Sequence, residues 1–170
     1  DKNLSIRTKL GISYLPQEAS IFRDLSVHDN IFAIAELFHN KKNSIKITES
    51  LIKQFSLGNF QSTKGKLLSG GERRRTEIAR CLCSNPSIIL MDEPTAGVDP
   101  IGIDDIKMLI KQLMNKNIGV LITDHNVREV LDICDYSYVM HSGEIIAEGE
   151  SSTILGNKDC LLYTSPSPRD

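Results

Sequence analysis

Tryptophan is missing from this chain of 170 residues, and four tyrosines and five phenylalanines are its only aromatic residues. Surfaces that stack nucleic-acid bases depend on aromatic side chains, so no such surface is indicated. The 20 basic and 22 acidic residues give a net charge of −2, which argues against a nucleic-acid partner. No apolar run approaches the roughly 18 residues of a membrane-spanning helix. The chain is nevertheless long enough to bury a core as one domain.

The four cysteines do not have the spacing of metal ligands. Cys81 and Cys83 are two residues apart on a predicted helix, so their side chains should point to different faces. Cys134 and Cys160 stand apart from them. We therefore predict reduced, structural thiols in a cytosolic protein rather than a redox or metal site.

A phosphate-binding loop with the pattern G-x-x-x-x-G-K-[ST] is also absent from the sequence. The nearest match is Gly65-Lys66, but Leu67 follows it and Phe60 stands where the first glycine belongs. The chain begins at Asp1, shortly before a predicted strand that belongs to the middle of a domain. We expect it to be a fragment that lacks the first part of its domain. Residues 161–170, rich in Ser and Pro, are expected to be a non-native or disordered tail.

The most informative pattern that is present is Leu68-Ser69-Gly70-Gly71-Glu72. Ser69 and Glu72 have the spacing of a capping box at the start of a helix. Gly70 and Gly71 place no Cβ in the way of an anion, and the first amides of a helix suit a phosphate. An ordinary helix start is the alternative for these residues alone.

A second pattern follows about 20 residues later, where the apolar residues 88–91 end in Asp92-Glu93. Such a run predicts a buried parallel strand whose carboxyl end faces a ligand crevice. Two acids at that end can hold Mg²⁺ and activate a water, although two solvated acids in a loop are an alternative. Because both patterns occur in order with a predicted helix between them, we predict nucleotide hydrolysis.

Apolar periodicity and helix caps predict the remaining elements. A strand is expected from Gly11 to Leu15, and a helical region from about residue 24 to 85. Within that region we expect one helix capped by Ser26 and Asp29 that runs to about His39, followed by a polar break at Lys41-Lys42-Asn43-Ser44. A second helix carries the apolar residues Ile47, Leu51, Ile52 and Phe55 and ends at Gly58-Asn59. A third helix runs from Glu72 to about Cys83.

After this region, strands and helices alternate, which predicts a parallel sheet with right-handed crossovers. One crossover helix is marked by the apolar residues Ile103, Ile106, Leu109, Ile110 and Leu113, and residues 118–123 form the next strand. Tyr136–Met140 and Glu144–Ala147, joined by Ser142-Gly143, predict two strands linked by a tight turn.

Three further residues complete an order that resembles the ATP-binding-cassette (ABC) ATPases. Gln17 follows the first predicted strand, Asp99 lies in a tight loop after the acids, and His125 follows the strand at 118–123. They correspond to the Q-loop, D-loop and H-loop of that family. The resemblance implies an α/β fold over residues 1–160: a P-loop NTPase of the ABC type, with a mainly parallel sheet and an inserted helical subdomain.

The resemblance also implies catalytic roles by position, with ATP and Mg²⁺ as cofactors. Asp92 would hold Mg²⁺, and Glu93 would polarise the attacking water as general base. Gln17 would sense the γ-phosphate and the metal, and His125 would contact the γ-phosphate. Positioning and charge stabilisation carry most of the catalysis in phosphoryl transfer.

The remaining motif residues imply partners. Ser69, Gly70, Gly71 and Glu72 would bind, in trans, the nucleotide held by a second copy, and Asp99 would bridge the two copies of the homodimer. Transmembrane permease subunits would hold the protein on the cytoplasmic face of an inner membrane. The run Arg73-Arg74-Arg75 is interpreted as a solvated helix face that pairs with acids, with a phosphate or headgroup contact as the alternative.

The residues that flank these motifs resemble one subfamily, the ATP-binding subunits of bacterial lipopolysaccharide export systems. The flanking residues lie in the segments 11–22, 69–80, 96–101 and 121–129. Thr95 departs from that subfamily, which often has Phe there. A branched-chain amino acid transporter or another ABC transporter is the alternative. A DNA-repair or chromosome ATPase is disfavoured because the roughly 50 residues from Gln17 to Ser69 hold only two or three helices and no heptad run. An inactive fragment is the last alternative.

Overall fold

The computed structural model describes residues 4–156, which fall into two compact units. The boundary between the units lies between Ile122 and Thr123. Cys160 and the predicted tail at 161–170 lie outside the described residues. Among the helices of residues 4–156, none combines the length and the apolarity that crossing a bilayer requires.

The first unit alternates helices and strands, with three helices and two short 3-10 turns between its first two strands. In chain order its elements are α1 Leu4–Lys9, β1 Ile12–Leu15, α2 Val27–Ala35, α3 Lys41–Gln54, the 3-10 turns Gly58–Phe60 and Gly65–Leu67, α4 Gly70–Leu82, β2 Ile88–Asp92, α5 Pro100–Met114 and β3 Gly119–Thr123, whose last residue belongs to the second unit. The subdomain boundaries near residues 24 and 85 stay a prediction.

The three strands form one sheet in the order β1-β2-β3. β1 and β2 are parallel, with Ile12 paired to Ile88 and Leu15 paired to Met91. Parallel pairing brings the carboxyl ends of both strands to the same edge of the sheet. Gln17, two residues beyond β1, therefore lies at the same edge as Asp92 at the end of β2.

β1 and β2 bury one face and leave the other largely open, so the prediction of a buried strand for β2 holds for one of its two faces. Ser13 and Ile89 are paired on the buried face, where Ser13 Oγ donates a hydrogen bond to the Cys81 carbonyl of α4. Tyr14 and Ile88, which alternate with them, are 41% and 42% exposed. An apolar run without alternation predicts two covered faces, whereas here only one face is packed.

The helical region departs from the prediction at Lys41-Lys42-Asn43-Ser44, which is not a break but the first turn of α3. Asn40 is the N-cap, and its side chain accepts a hydrogen bond from the Asn43 backbone N–H at 3.0 Å. Ser44 is fully buried, with its hydroxyl donating to the Asn40 carbonyl. Polar residues near a cap predict a loop as readily as a helix start, because capping and turn signals use the same residue types.

The neighbouring helix ends also differ from the prediction. α2 begins at the predicted cap, Ser26, but ends at Ala35 rather than near His39. α3 closes at Ser56, which has φ +53°, and not at Gly58-Asn59. The Ser56 and Leu57 N–H groups donate to the carbonyls of Lys53 and Ile52, respectively, which is the bonding of a Schellman motif.

The second unit contains α6 Val127–Leu131, β4 Tyr136–His141, β5 Glu144–Glu150 and α7 Ser151–Gly156. The antiparallel pairing of β4 and β5 confirms the predicted strands and tight turn. Ser142 and Gly143 both have positive φ, +50° and +85°, as a two-residue type I′ turn requires. A small core forms around Leu131, Val139 and Ile154.

Candidate functional site

The adjacent ends of β1 and β2 bring three of the predicted site residues together. Gln17 Nε2 donates a hydrogen bond to Glu93 Oε2 at 2.7 Å. Asp92 precedes Glu93 as the last residue of β2, and the Tyr14 hydroxyl lies 3.5 Å from Asp92 Oδ2. An amide and two carboxylates thus occupy one edge of the sheet, where strand ends in α/β folds commonly bind ligands.

Glu93 has an unusual backbone conformation, with φ +42°. A non-glycine residue in this region costs of order 1–3 kcal/mol, and such residues cluster at functional sites. The turn at Glu93 ends the strand and lets its carboxylate meet the Gln17 side chain. The strained turn is therefore part of the arrangement that aligns the two groups.

The helix start predicted at Ser69 is present, and its capping box is complete. Ser69 is the N-cap of α4; its Oγ accepts from the Glu72 N–H at 3.3 Å, and Glu72 Oε2 accepts from the Ser69 N–H at 2.9 Å. Gly70 and Gly71 then supply the first helical amides, which have no acceptor within a helix. These amides at the positive end of the helix dipole suit an anion.

The loop that follows Glu93 packs against this helix start. A Cβ atom on Gly70 would overlap the carbonyl oxygen of Gly97, whereas one on Gly71 would lie 3.7 Å from the Gly102 Cα. Asp99 is the N-cap of α5, and its Oδ1 accepts from the Gly102 N–H at 3.0 Å. The structure assigns Asp99 this capping contact, and its bridging of two copies stays a prediction.

His125, the remaining predicted residue, belongs to the second unit. Its side chain is largely exposed, and Nδ1 lies 3.6 Å from Asp124 Oδ1. Asp124 Oδ1 also accepts from the Asn126 N–H at 2.9 Å, which orders the turn before α6. The γ-phosphate contact of His125 stays a prediction.

The interpretation of Arg73-Arg74-Arg75 as a solvated face is wrong for the middle residue. Arg74 is only 4% exposed, and its guanidinium contacts backbone carbonyls on both sides of the site. Arg75 does pair with an acid, at 3.6 Å from Asp105. The i,i+3 spacing of Arg74 and Glu77 was the available signal, since the two form a buried ion pair. Sequence reasoning also gave no role to Tyr14, which the structure places beside Asp92.

The cysteines of the first unit have the properties of structural thiols. Burial raises the pKa of both Cys81 and Cys83 to about 12, so both remain protonated at neutral pH. Cys83 Sγ donates to the Ile31 carbonyl at 3.5 Å. The structure agrees with the predicted inert thiols, although Cys83 lies at the C-cap of α4 rather than within it.

The donor set at the strand ends fits Mg²⁺. Asp92 and Glu93 supply the hard carboxylate oxygens that this cation prefers, and proteins usually bind it through one or two carboxylates together with phosphates and waters. Within residues 4–156, no group of three or more His, Cys, Asp or Glu side chains could hold a metal. A cation here would therefore depend on nucleotide phosphates for further ligands.

A groove of about 210 Å³ lies beside the site, between β1, α2 and α4. Its lining combines apolar side chains with several hydroxyls, one acid and one base, and includes Tyr14, Ser20, Ile34, Phe38, Glu77 and Arg80. Ser20 belongs to the segment that begins at Gln17, so the groove and the sheet edge at Gln17 share one stretch of backbone.

The sequence matches known proteins over most of its length. Residues 2–96 match the family model described as ABC transporter. The chain is 49% identical over 154 residues to a probable ABC transporter ATP-binding protein of Azorhizobium caulinodans, covering 90% of this chain and 55% of that protein. It is 48% identical over 154 residues to the lipopolysaccharide export system ATP-binding protein LptB of Haemophilus influenzae, covering 89% and 64%. The chain thus spans little more than half to about two thirds of these relatives.

A solved structure supports the same assignment of the fold. The ADP conformation of MJ1267, an ATP-binding cassette of an ABC transporter, superimposes with a TM-score of 0.81 at 29% identity, covering 98% of this chain and 72% of that one. Together with the parallel pairing of β1 and β2 and their connecting helices, this confirms the predicted α/β fold of the P-loop NTPase type.

Proposed function

The chain belongs to the ABC transporter family, and we propose that the full-length protein hydrolyses ATP as the motor subunit of a transporter. The observation that carries the proposal is the edge formed by Gln17, Asp92 and Glu93, with the 2.7 Å hydrogen bond between Gln17 and Glu93. A nucleophilic water held there would have a carboxylate base beside it and a metal-binding carboxylate next to that base.

Each residue at this edge has a proposed task. Glu93 accepts a proton from the attacking water as general base. Asp92 holds Mg²⁺, which when bound neutralises the charge of the transferred phosphoryl group. Gln17 orients the water and senses the γ-phosphate, a role that its hydrogen bond with Glu93 supports. His125 steadies the γ-phosphate; family resemblance supports this role.

We also propose that two copies act together. The amides of Gly70 and Gly71 open α4 beside the loop that carries Gly97, and they offer an anion site that a second copy's nucleotide could enter. A two-fold dimer would create two such composite sites, with Asp99 in the adjacent loop as the residue that bridges the copies.

The direct test is ATP turnover by the full-length protein, and by its Glu93→Gln variant. We expect Mg²⁺-dependent turnover that EDTA abolishes, and a loss of about 10²–10⁴-fold in Glu93→Gln because a general base is removed. Nucleotide binding should persist in the variant. Glu49→Gln, an exposed acid of α3, serves as the matched control and should turn over normally. Turnover by Glu93→Gln near the wild-type rate would refute the assignment.

Separate membrane subunits are proposed as partners, at the cytoplasmic face of an inner membrane. The groove between α2 and α4 supports this proposal because it opens beside the segment that begins at Gln17. Nucleotide state could therefore alter the surface that a partner contacts.

Lipopolysaccharide is the proposed cargo, and the 48% identity to the Haemophilus influenzae export protein supports it. Branched-chain amino acids or another solute are the alternative. Depleting the full-length protein in its host tests the choice. We expect loss of outer-membrane lipopolysaccharide with normal solute uptake. Normal lipopolysaccharide with failed uptake of a small solute would overturn the cargo and leave the ATPase proposal intact.

A further inference from the structure

Arg74, the buried middle residue of the arginine run, uses all five of its N–H donors. A guanidinium carries five donors in a fixed planar fork. Here four hydrogen bonds reach backbone carbonyls and one reaches a carboxylate: Nε to Pro94 at 2.8 Å, Nη1 to Pro16 at 2.8 Å and to Glu77 Oε2 at 3.3 Å, and Nη2 to Asp92 and Glu93 at 2.9 Å each.

These carbonyls belong to the backbone that carries the proposed catalytic groups. Pro16 is bonded directly to Gln17, and the carbonyls of Asp92, Glu93 and Pro94 surround the strained turn at Glu93. One side chain therefore fixes the ends of both β1 and β2. Gln17 and Glu93, whose side chains meet at 2.7 Å, thus both lie on backbone that Arg74 contacts.

The same helix also fixes the far end of the segment that Gln17 begins. Glu77 Oε1 accepts from the N–H groups of Ser20 and Ile21 at 2.8 and 3.1 Å, and Arg80 Nη1 donates to the Ser20 carbonyl at 2.6 Å. Arg74 and Glu77 neutralise each other within the protein, with side-chain exposures of 4% and 1%. The segment from Pro16 to Ile21 is thus attached to α4 at both ends.

α4 begins at Ser69-Gly70-Gly71, little more than one helical turn before Arg74. We infer that Arg74 is a positioning residue for hydrolysis: it aligns Gln17 with Glu93 and ties that alignment to the helix whose first amides bind phosphate. The inference rests on the proposed ATPase function. Lysine cannot replace this residue, because an ammonium has three donors and cannot reach four carbonyls in one plane.

The test is the Arg74→Lys variant of the full-length protein, assayed for kcat and for KM toward ATP. Arg74 contacts the backbone behind the catalytic groups, so kcat should fall about 10–100-fold, as for other supporting-shell changes, while KM should change by less than about threefold. Arg23→Lys makes the same replacement at an exposed position and should leave both constants unchanged. An Arg74→Lys protein with wild-type kcat would overturn the inference.

A second measurement distinguishes positioning from general stability. In the Glu93→Gln background, Arg74→Lys should lower the residual turnover less than about threefold, because residues that act as a unit are not additive. A full additional loss would overturn the inference. Thermal unfolding checks that each variant is folded. If Arg74→Lys fails to fold, Arg74→Gln combined with Glu77→Gln leaves no unpaired buried charge and keeps an acceptor for Ser20 and Ile21. This double variant should show the same kcat loss, and a wild-type kcat would overturn the inference.

The two proposals fail in different ways. If the wild-type full-length protein does not hydrolyse ATP, the proposed function is wrong and the role of Arg74 falls with it. If the wild type turns over and Arg74→Lys matches it, only the positioning role is wrong.

Discussion

Gly70 and Gly71 are adjacent glycines at the start of α4, but their surroundings differ. A methyl group on Gly70 would overlap the Gly97 carbonyl oxygen, while one on Gly71 would make an ordinary contact at 3.7 Å with Gly102. Backbone atoms cannot rotate away as a side chain can. The requirement for glycine at position 70 therefore comes from packing within the chain, in addition to any ligand.

We predict that Gly70→Ala destabilises the full-length protein by about 1–3 kcal/mol, the usual cost of overpacking. Gly71→Ala should change the free energy of unfolding by less than about 1 kcal/mol, since alanine also favours the helix. Urea denaturation of both variants measures the difference. Equal stabilities for the two would show that the loop at Gly97 moves aside without cost.

Cys83 gives a prediction for alkaline pH. Burial raises its pKa from the ordinary value of 9.0 to about 12 in the folded state, so the unfolded chain loses this proton first. The contribution of the protonated Cys83 thiol to the free energy of unfolding is fully present below pH 9 and is lost as pH rises towards 12. The shift corresponds to at most about 4 kcal/mol. Chemical denaturation at pH 7.5 and pH 10.5 should show a fall that is smaller in Cys83→Ala; the same fall in both proteins would contradict the assignment.

The residues of the site could be predicted from the sequence to the extent that local rules govern them. The capping box of Ser69 and Glu72 was predictable because both partners lie within one helical turn. The burial of Arg74 was not, because its acceptors are carbonyls some 20 and 58 positions away. From its charge alone an arginine is expected at the surface, and only the fold shows that backbone carbonyls accept hydrogen bonds from the Arg74 guanidinium.

Among the elements, α3 ends in an uncommon way. Ser56 occupies the left-handed position of the Schellman motif, with φ +53°, and fully buried Leu57 follows it. A residue with a Cβ pays roughly 1–2 kcal/mol for this conformation, whereas glycine adopts it freely.

We predict that Ser56→Gly stabilises the full-length protein by about 0.5–1 kcal/mol, the difference between the relieved strain and the greater chain entropy of unfolded glycine. Ser56→Ala keeps the Cβ and is the matched control, with no gain expected. Thermal or urea unfolding measures both. A loss of stability in Ser56→Gly would show that the Ser56 side chain contributes more than its backbone strain costs.

The elements themselves were largely predictable, while their ends were less so. The hairpin of β4 and β5 was predicted because Ser142-Gly143 meets the backbone demands of a tight turn. The start of α3 was missed because Asn40 and the polar residues after it suit a cap and a loop equally. Glycine at position 58 suggested a helix end, but burial of Leu57 set the end two residues earlier.

At the scale of the whole molecule, the start of α4 is the phosphate site that we propose within residues 4–156, and the 170-residue sequence contains no G-x-x-x-x-G-K-[ST] pattern. That loop normally supplies the amide cradle and the lysine for the β- and γ-phosphates. We predict that this polypeptide alone binds ATP no more tightly than about millimolar, a loss of several kcal/mol relative to micromolar binding. Isothermal titration calorimetry measures it, with the full-length protein as the positive control. Micromolar affinity of the polypeptide alone would show that the strand ends and α4 suffice.

The exposed face of the sheet was beyond prediction for a related reason. Residues 88–91 are apolar throughout, which indicates burial but not the element that provides it. Which face is packed depends on contacts distant in sequence, such as those between α4 and β1. The apolar pattern shows that the side chains of a strand favour burial, but contacts made by the whole fold determine which of them are buried.

That exposed face has a consequence for the polypeptide in solution. Leu121 on β3 is 57% exposed, and Tyr14 and Ile88 are exposed on β1 and β2. Covering apolar surface releases about 25 cal/mol per Å², so the polypeptide should associate more strongly as its concentration rises. Sulfate would strengthen this tendency and low urea would weaken it, because the two cosolutes act in opposite directions on apolar hydration. The choice of salt would thus govern what fraction of the polypeptide stays monomeric in solution.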